Sequence, residues 1–389
     1  MKYFSIIFSF IFLNIFGQNH KADTQLLPTE VPFTISNNLI ILKGKVNGTD
    51  VNILWDNGFS FCGIDEELLH QLQLKKEKKE KTATDGTGEE LNIGFTTLPT
   101  LSIGQLQKSK VKAIIFQSSV IPSTIKIDAV LGAEVINQFI WDFDFDTQIL
   151  TVSNKEIPKK IVQETPFQID KKSHLHYLPL LLNDRKTLIH SDFGSNSENL
   201  DVIPEFADIV FGKDIPRLTL EGWGSISISG KIENSTSYLL KNEYDLSTSE
   251  TELSRSYAPL VSVSDKLQYE AVLGNYFFRN LGNLIINPKE KKYKLYSSKR
   301  EPIPYHFSNF GFACTIYNGQ IQVIRMIKES ANVKKHNISL GDVIESIDGH
   351  TMDFFKDNDE LSEYLHEKES IQFIFKDKGP LNLTKEKFF

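Results

Sequence analysis

Cysteine is nearly absent from this chain. Its 389 residues contain two, Cys62 and Cys314, too few and too far apart for a disulfide framework. Long apolar runs are missing after residue 16, so no later stretch reaches the roughly 18 apolar residues of a membrane-spanning helix. An excess of positive charge is missing too. Lys and Arg number 43 against 50 Asp and Glu, a formal charge of −7, which argues against nucleic acid as a main partner. The Lys-rich run KKEKKEK at 75–81 is mixed in sign and reads as a solvated loop. The nine His residues show no His-x-x-x-His spacing with an acid. The HLH at 174–176 lacks a third ligand and reads as structural. Neither a Gly-x-Ser-x-Gly motif nor a phosphate loop occurs. No metal and no cofactor is therefore expected.

The first residues do carry a message. Lys2 precedes a predominantly apolar stretch, 3–16, and Gly17 offers a small residue for cleavage. Residues 1–17 read as a signal peptide, with the cut placed to within a few residues, and the mature protein is expected to be exported, periplasmic or extracellular, without a transmembrane anchor. The remaining length suits two or three domains.

Part of the sequence is written twice. DAVLG at 128–132 returns as EAVLG at 270–274, and each is followed by a strand–turn–strand pattern, FIWDFDFDTQILTVS and NLIINPKEKKYKLYS. Upstream, the apolar ILW at 53–55 runs into Asp56-Asn57-Gly58, and KTLIHS runs into Asp192-Phe193-Gly194. Gly132 lies 76 residues after Asp56, and Gly274 lies 82 after Asp192. A Gly-x-Gly stands 30 and 32 residues after each Asp: Gly86-Thr87-Gly88 and Gly222-Trp223-Gly224. Each reads as a hairpin tip. The predicted fold is mostly β, in two similar units, 18–160 and 161–300, with short helices at DEELLHQLQL and LDVIPEFADIVF.

An Asp at the end of an apolar strand is usually a turn cap. Two of them, in equivalent places of a duplicated unit, resemble the aspartic peptidases, and the compact units look most like the retropepsin-like subgroup fused as a tandem pair over about residues 30–298. The resemblance implies two acid-protease-like β-barrel lobes related by a pseudo-twofold axis. Asp56 and Asp192 would form the catalytic dyad. Asn57, Gly58, Phe193, Gly194 and Ser195 would form the active-site loops, with Leu131, Gly132, Leu273 and Gly274 packed against them. Asp85, Gly86, Thr87, Gly222 and Trp223 would belong to flaps over the cleft. Two close carboxylates cannot both ionise easily, so they share a proton. One then takes a proton from water while the other polarises the scissile carbonyl. The expected partner is a peptide or protein substrate, and the expected state a monomer. Three positions depart from the family pattern. Asn57 and Phe193 replace the Thr or Ser whose hydroxyl ties the loops together, and Phe59 replaces a small residue. Ser191 and Ser195 flank the second Asp and offer hydroxyls. A protein that keeps the cleft and binds peptides without cutting them is the alternative reading.

After Pro302 and Pro304 the pattern changes. ISLGDVIESIDG, with Gly341, Asp342, Ile347 and Gly349, resembles the PDZ family, and Phe310-Gly311-Phe312 stands where that family has its carboxylate-binding loop. The helix DNDELSEYLHE and the strand SIQFIFKD complete the set. A PDZ-like unit over 305–389 implies a chain-terminus ligand added as a strand to a sheet edge.

Overall fold

The computed structural model describes residues 28–388 apart from 79–80, 85–89, 119–122, 124, 224–233, 241–243, 249–259, 266, 268 and 302–309. The architecture is mostly β, with short helices. The strand Thr49–Trp55 explains its own sequence. Ile53 and Trp55 are fully buried in the main core, while Leu54 turns the other way into a separate apolar cluster with Ile41 and Val130. Both faces of the strand end are covered, so the apolar residues run on instead of alternating.

This strand belongs to a closed six-stranded barrel. The order around it is Leu39–Val46, Thr49–Trp55, Ala129–Leu131, Cys62–Asp65, Leu106–Phe116 and Phe95–Ile103, and the last pairs back to the first through Lys45 with Ser102 and Val46 with Leu101. The second half of residues 28–300 repeats the central pairings. Arg185–Asp192 is antiparallel to His176–Leu182 and parallel to Ala271–Gly274, just as Thr49–Trp55 is to Leu39–Val46 and Ala129–Leu131. Leu200–Val202 lies antiparallel to Ala271–Gly274 and parallel to Val261–Val263, as Cys62–Asp65 does to Ala129–Leu131 and Leu106–Phe116. The helices Glu66–Gln71 and Pro204–Val210 follow in the two stretches expected to be helical.

The two hairpins expected after each AVLG form, and they lie side by side. Together with the strands Thr29–Ser36 and Ile161–Pro166 they make a six-stranded antiparallel sheet, in which Ile140–Asp144 pairs with Asn283–Asn287 and Asp142 faces Ile285. Trp141 and Phe143 from this sheet enter the core that also holds Trp55 and Phe193. The halves therefore share both backbone hydrogen bonds and apolar packing.

Residues 310–388 have a core of their own, built on Phe310, Phe312, Ile347, Phe373 and Phe375. Ser330 caps the helix Ala331–His336 by accepting from the N–H of Val333, and Asp357 caps Asn358–Glu367 by accepting from Glu360. This unit also adds a strand to the second half. Gln320–Ile327 runs antiparallel to Arg217–Trp223, with Leu220 facing Ile327 and Gly222 facing Arg325.

That pairing corrects one expectation. Gly222 and Trp223 do not form a hairpin tip. They end the strand Arg217–Trp223, and Trp223 faces Asn234 across the hairpin. Gly222 has φ +138°, and a Cβ there would stand 2.2 Å from the carbonyl oxygen of Ile324. The glycine answers the close approach of the C-terminal strand. Trp223 packs edge-on against Tyr317, ring centroids 5.0 Å apart, and its carbonyl accepts from Arg325 Nε at 3.0 Å. Asp85, Gly86, Thr87, Gly88 and Gly224 lie outside the described residues.

Candidate active site

The two Asp-x-Gly turns come together where the halves meet. Each carboxylate accepts from the glycine N–H of its own turn: Gly58 to Asp56 Oδ1 at 2.8 Å, and Gly194 to Asp192 Oδ1 at 2.9 Å. Each glycine also presses against the opposite carboxyl. A Cβ on Gly58 would stand 2.1 Å from Asp192 Oδ1, and one on Gly194 would stand 2.3 Å from Asp56 Cγ. Any side chain at either position would push the carboxyls apart. Burial, and then the charge of Asp192, hold the Asp56 carboxyl well above the usual carboxylate range, against the opposing pull of the Gly58 and Phe59 N–H groups.

The AVLG segments buttress the turns. Asp56 N–H donates to Leu131 O at 3.1 Å, and Asp192 pairs with Gly274 in the parallel ladder. Leu131 and Leu273 are fully buried. A Cβ on Gly132 would stand 1.7 Å from Phe61 O, and one on Gly274 would meet Ser195 O at 3.0 Å. Ser195 itself stays local, its hydroxyl accepting from the N–H of Ser197.

The middle residues of the turns take different parts. Asn57 is fully buried and reaches across: its Oδ1 accepts from the backbone N–H of Phe193 at 2.8 Å. Phe193 is also fully buried and has no polar atom to offer. It packs edge-on against Trp55, centroids 5.2 Å apart, and stacks on Phe278 at 5.2 Å.

Residues 42–135 match the family model described as aspartyl protease. The match spans the first Asp-x-Gly turn and the first AVLG segment. Among solved structures, a retropepsin-like aspartic protease from Rickettsia conorii is similar at 16% identity over 33% of this chain and 92% of that one, with a TM-score of 0.24. None of the curated proteins compared with the chain matches it.

Several residues beside the two carboxyls have no motif to mark them in the sequence. Asp201 is raised to about 6, first by burial, against hydrogen bonds from Ser197 and Ser262. His190, two residues before Asp192, is buried, and its ring lies 4.2 Å from that of Tyr269. His176, Ser191 and Tyr293 surround the Asn57 amide. A signal for the last three existed. Superposing the repeats places them at the core positions held in the first half by Ile40, Trp55 and Leu150. A polar residue at a core position needs a partner. Among the described residues no group of three or more His, Cys, Asp or Glu is placed to hold a metal ion.

The tail residues Phe310 and Phe312 point into the core of their unit. Gly311 has φ +93°, and a Cβ there would meet Ser330 Oγ at 1.9 Å. Any ligand contact at this loop falls to its backbone.

Proposed function

We propose that this chain is an exported, monomeric aspartic endopeptidase of the retropepsin-like type, with residues 18–160 and 161–300 as its two lobes. The observation that carries the reading is reciprocal: each Asp-x-Gly turn sets its glycine against the other turn's carboxyl, at 2.1 and 2.3 Å from a would-be Cβ. A pair held this closely keeps one proton between them. The ionised member takes a proton from a water on the scissile carbonyl, and the protonated member donates to that carbonyl oxygen. The substrate is an extended peptide lying across the lobe junction.

Residues 305–389 are proposed as a PDZ-like unit. Its strand Phe312–Tyr317 pairs, among the described residues, only with Gln320–Ile327, and its other edge faces the helix Asn358–Glu367, whose Asn358 Oδ1 accepts from the N–H of Ile316 at 2.6 Å. Asn358 also donates to the Ile316 carbonyl at 3.4 Å, so an added peptide strand would pair with this edge on the Phe312 side of Ile316.

The test is hydrolysis of an unbiased peptide mixture, read by mass spectrometry across pH. Wild type should cleave best in acid and lose activity as pH rises and the shared proton leaves. Asp56→Asn and Asp192→Asn should each remove the activity. A second readout is independent of chemistry. Because folding raises the Asp56 pKa, the fold loses stability as pH climbs from the ordinary carboxylate value toward the raised one. Asp56→Asn should therefore melt higher than wild type at neutral pH and lose that advantage near pH 4. Absence of cleavage at every pH, with peptide binding retained in both Asn variants, would sink the peptidase reading and favour a binding protein. Phe193, without a loop hydroxyl, is the residue that favours this second reading.

A further inference from the structure

Asn57 ties the two turns together only while its amide faces one way. Its oxygen must meet the Phe193 N–H, which leaves its nitrogen needing an acceptor. A flipped amide would set two donors against each other. The nearest acceptor is found at the end of a chain of hydrogen bonds that begins on a partly buried backbone carbonyl and runs into the core. Asn137 Nδ2 donates to His174 O at 2.8 Å, which turns Asn137 Oδ1 toward His176. His176 Nε2 lies 2.6 Å from that oxygen and must carry the proton. Its Nδ1 is then a bare acceptor, 2.8 Å from the Tyr293 hydroxyl, which must donate to it. The Tyr293 oxygen is thereby left to accept, from Asn57 Nδ2 at 3.0 Å and from Ser191 Oγ at 3.1 Å. The chain closes where Asn57 Oδ1 accepts from Phe193. Every proton in it is fixed by the two backbone groups at its ends.

We infer that Tyr293 and His176 are positioning residues of the dyad: they orient the Asn57 amide, and through it clamp the Asp192 turn to the Asp56 turn. The inference rests on Asp56 and Asp192 being the catalytic pair. The chain passes from the first half to the second and back, since Asn137 and Asn57 belong to one and His176, Tyr293 and Phe193 to the other. His176 suits the part because burial drives its pKa down to about 3, so above that pH the imidazole stays neutral and keeps one donor and one acceptor. Burial likewise holds the Tyr293 hydroxyl in its protonated form. Neither side chain is required by the fold as such, because the first half places Ile40 and Leu150 at the same positions.

The test compares Tyr293→Phe with Tyr296→Phe. Tyr296 lies in the same strand, is buried, and donates to Asp142 Oδ1 at 2.7 Å, on the far side of the sheet from the Asn57 chain. Tyr293→Phe should lower kcat about 10- to 100-fold with KM changed less than about threefold, the pattern of a displaced catalytic group with the binding surface intact. Deuterium exchange at the Phe193 amide should accelerate at least about tenfold, because the Asn57 nitrogen loses its shortest acceptor and keeps only the two longer contacts, to His176 Nδ1 and Ser191 Oγ at 3.4 Å each. Tyr296→Phe should leave both where wild type has them. Should Tyr293→Phe fail to fold, Asn137→Ala carries the same test from the other end, since it removes the acceptor that sets the His176 tautomer. Equal effects of the two Tyr variants, or unchanged kcat and exchange in Tyr293→Phe, would overturn the inference. If wild type cleaves no peptide, the peptidase reading fails separately, and the Phe193 exchange contrast still decides whether the clamp depends on Tyr293.

Discussion

The two halves carry the same turn but flank its Asp oppositely. In the first half a large aromatic, Trp55, precedes Asp56 and a small polar residue, Asn57, follows. In the second, small polar Ser191 precedes Asp192 and large aromatic Phe193 follows. Across the junction like meets like. Trp55 packs on Phe193 at 5.2 Å, and Asn57 Nδ2 reaches Ser191 Oγ at 3.4 Å. A homodimer would have to make both crossing contacts identical, because symmetry places the same residue on both sides. Two halves in one chain are free of that rule. Here one crossing contact is apolar and the other polar, and the two close the same geometry by different means.

The most damaging way to break this division is to make the halves alike. Phe193→Thr restores a loop hydroxyl but empties a fully buried site between Trp55, Phe143 and Phe278. Removing a buried Phe typically costs about 3–5 kcal/mol. Chemical denaturation should show a loss of that size, and the cleavage rate should fall, not rise. A variant as stable as wild type would mean that the aromatic contact does not hold the halves together.

The sequence made the repeat legible, and with it the place of both Asp turns and of the paired hairpins, because these depend on local features: an apolar run, a turn, a glycine. The partner of each loop was not legible, because it comes from the other half. Phe193 lacks a polar atom and reads as a lost lock until Trp55 is placed beside it. Tyr293 reads as a strand residue until its hydroxyl is seen to face Asn57. Gly222 and Trp223 read as a hairpin tip for the same reason: their neighbours, Ile324, Arg325 and Tyr317, are about 100 residues away in sequence.

The polar crossing contact should be the weaker of the two. Asn57→Ala leaves the Phe193 N–H buried without an acceptor and takes one donor from Tyr293. An unsatisfied buried donor costs about 1–3 kcal/mol. The denaturation midpoint should therefore fall less than in Phe193→Thr, while activity falls at least as far, because Asn57 adjoins the proposed catalytic pair. If Asn57→Ala proves the more destabilising variant, the ranking of the two contacts is wrong.

The smallest expected effect separates the two hairpins that follow the turns. Lys81–Thr84 and Glu90–Ile93 form a two-stranded sheet, with no third strand among the described residues. Arg217–Trp223 and Asn234–Leu240 have one, supplied by the C-terminal unit. The join is made at Thr219. Its N–H donates to Glu329 Oε2 at 2.8 Å, its hydroxyl to Oε1 at 2.8 Å, and its carbonyl accepts from the N–H of Lys328 at 2.9 Å. Leu218, Leu220 and Leu239 pack there with Ile327. Glu329→Ala removes two of the three hydrogen bonds at an exposed site. At about 0.5–1 kcal/mol in all, near the low end for a net hydrogen bond, this is roughly a two- to fivefold change in local opening. Deuterium exchange at Thr219 to Gly222 should quicken by that factor, while exchange at 82–84 stays unchanged. An equal change in both hairpins would mean that Glu329 acts through global stability. No change in either would mean that the backbone ladder and the Leu218–Ile327 packing hold the strand without it.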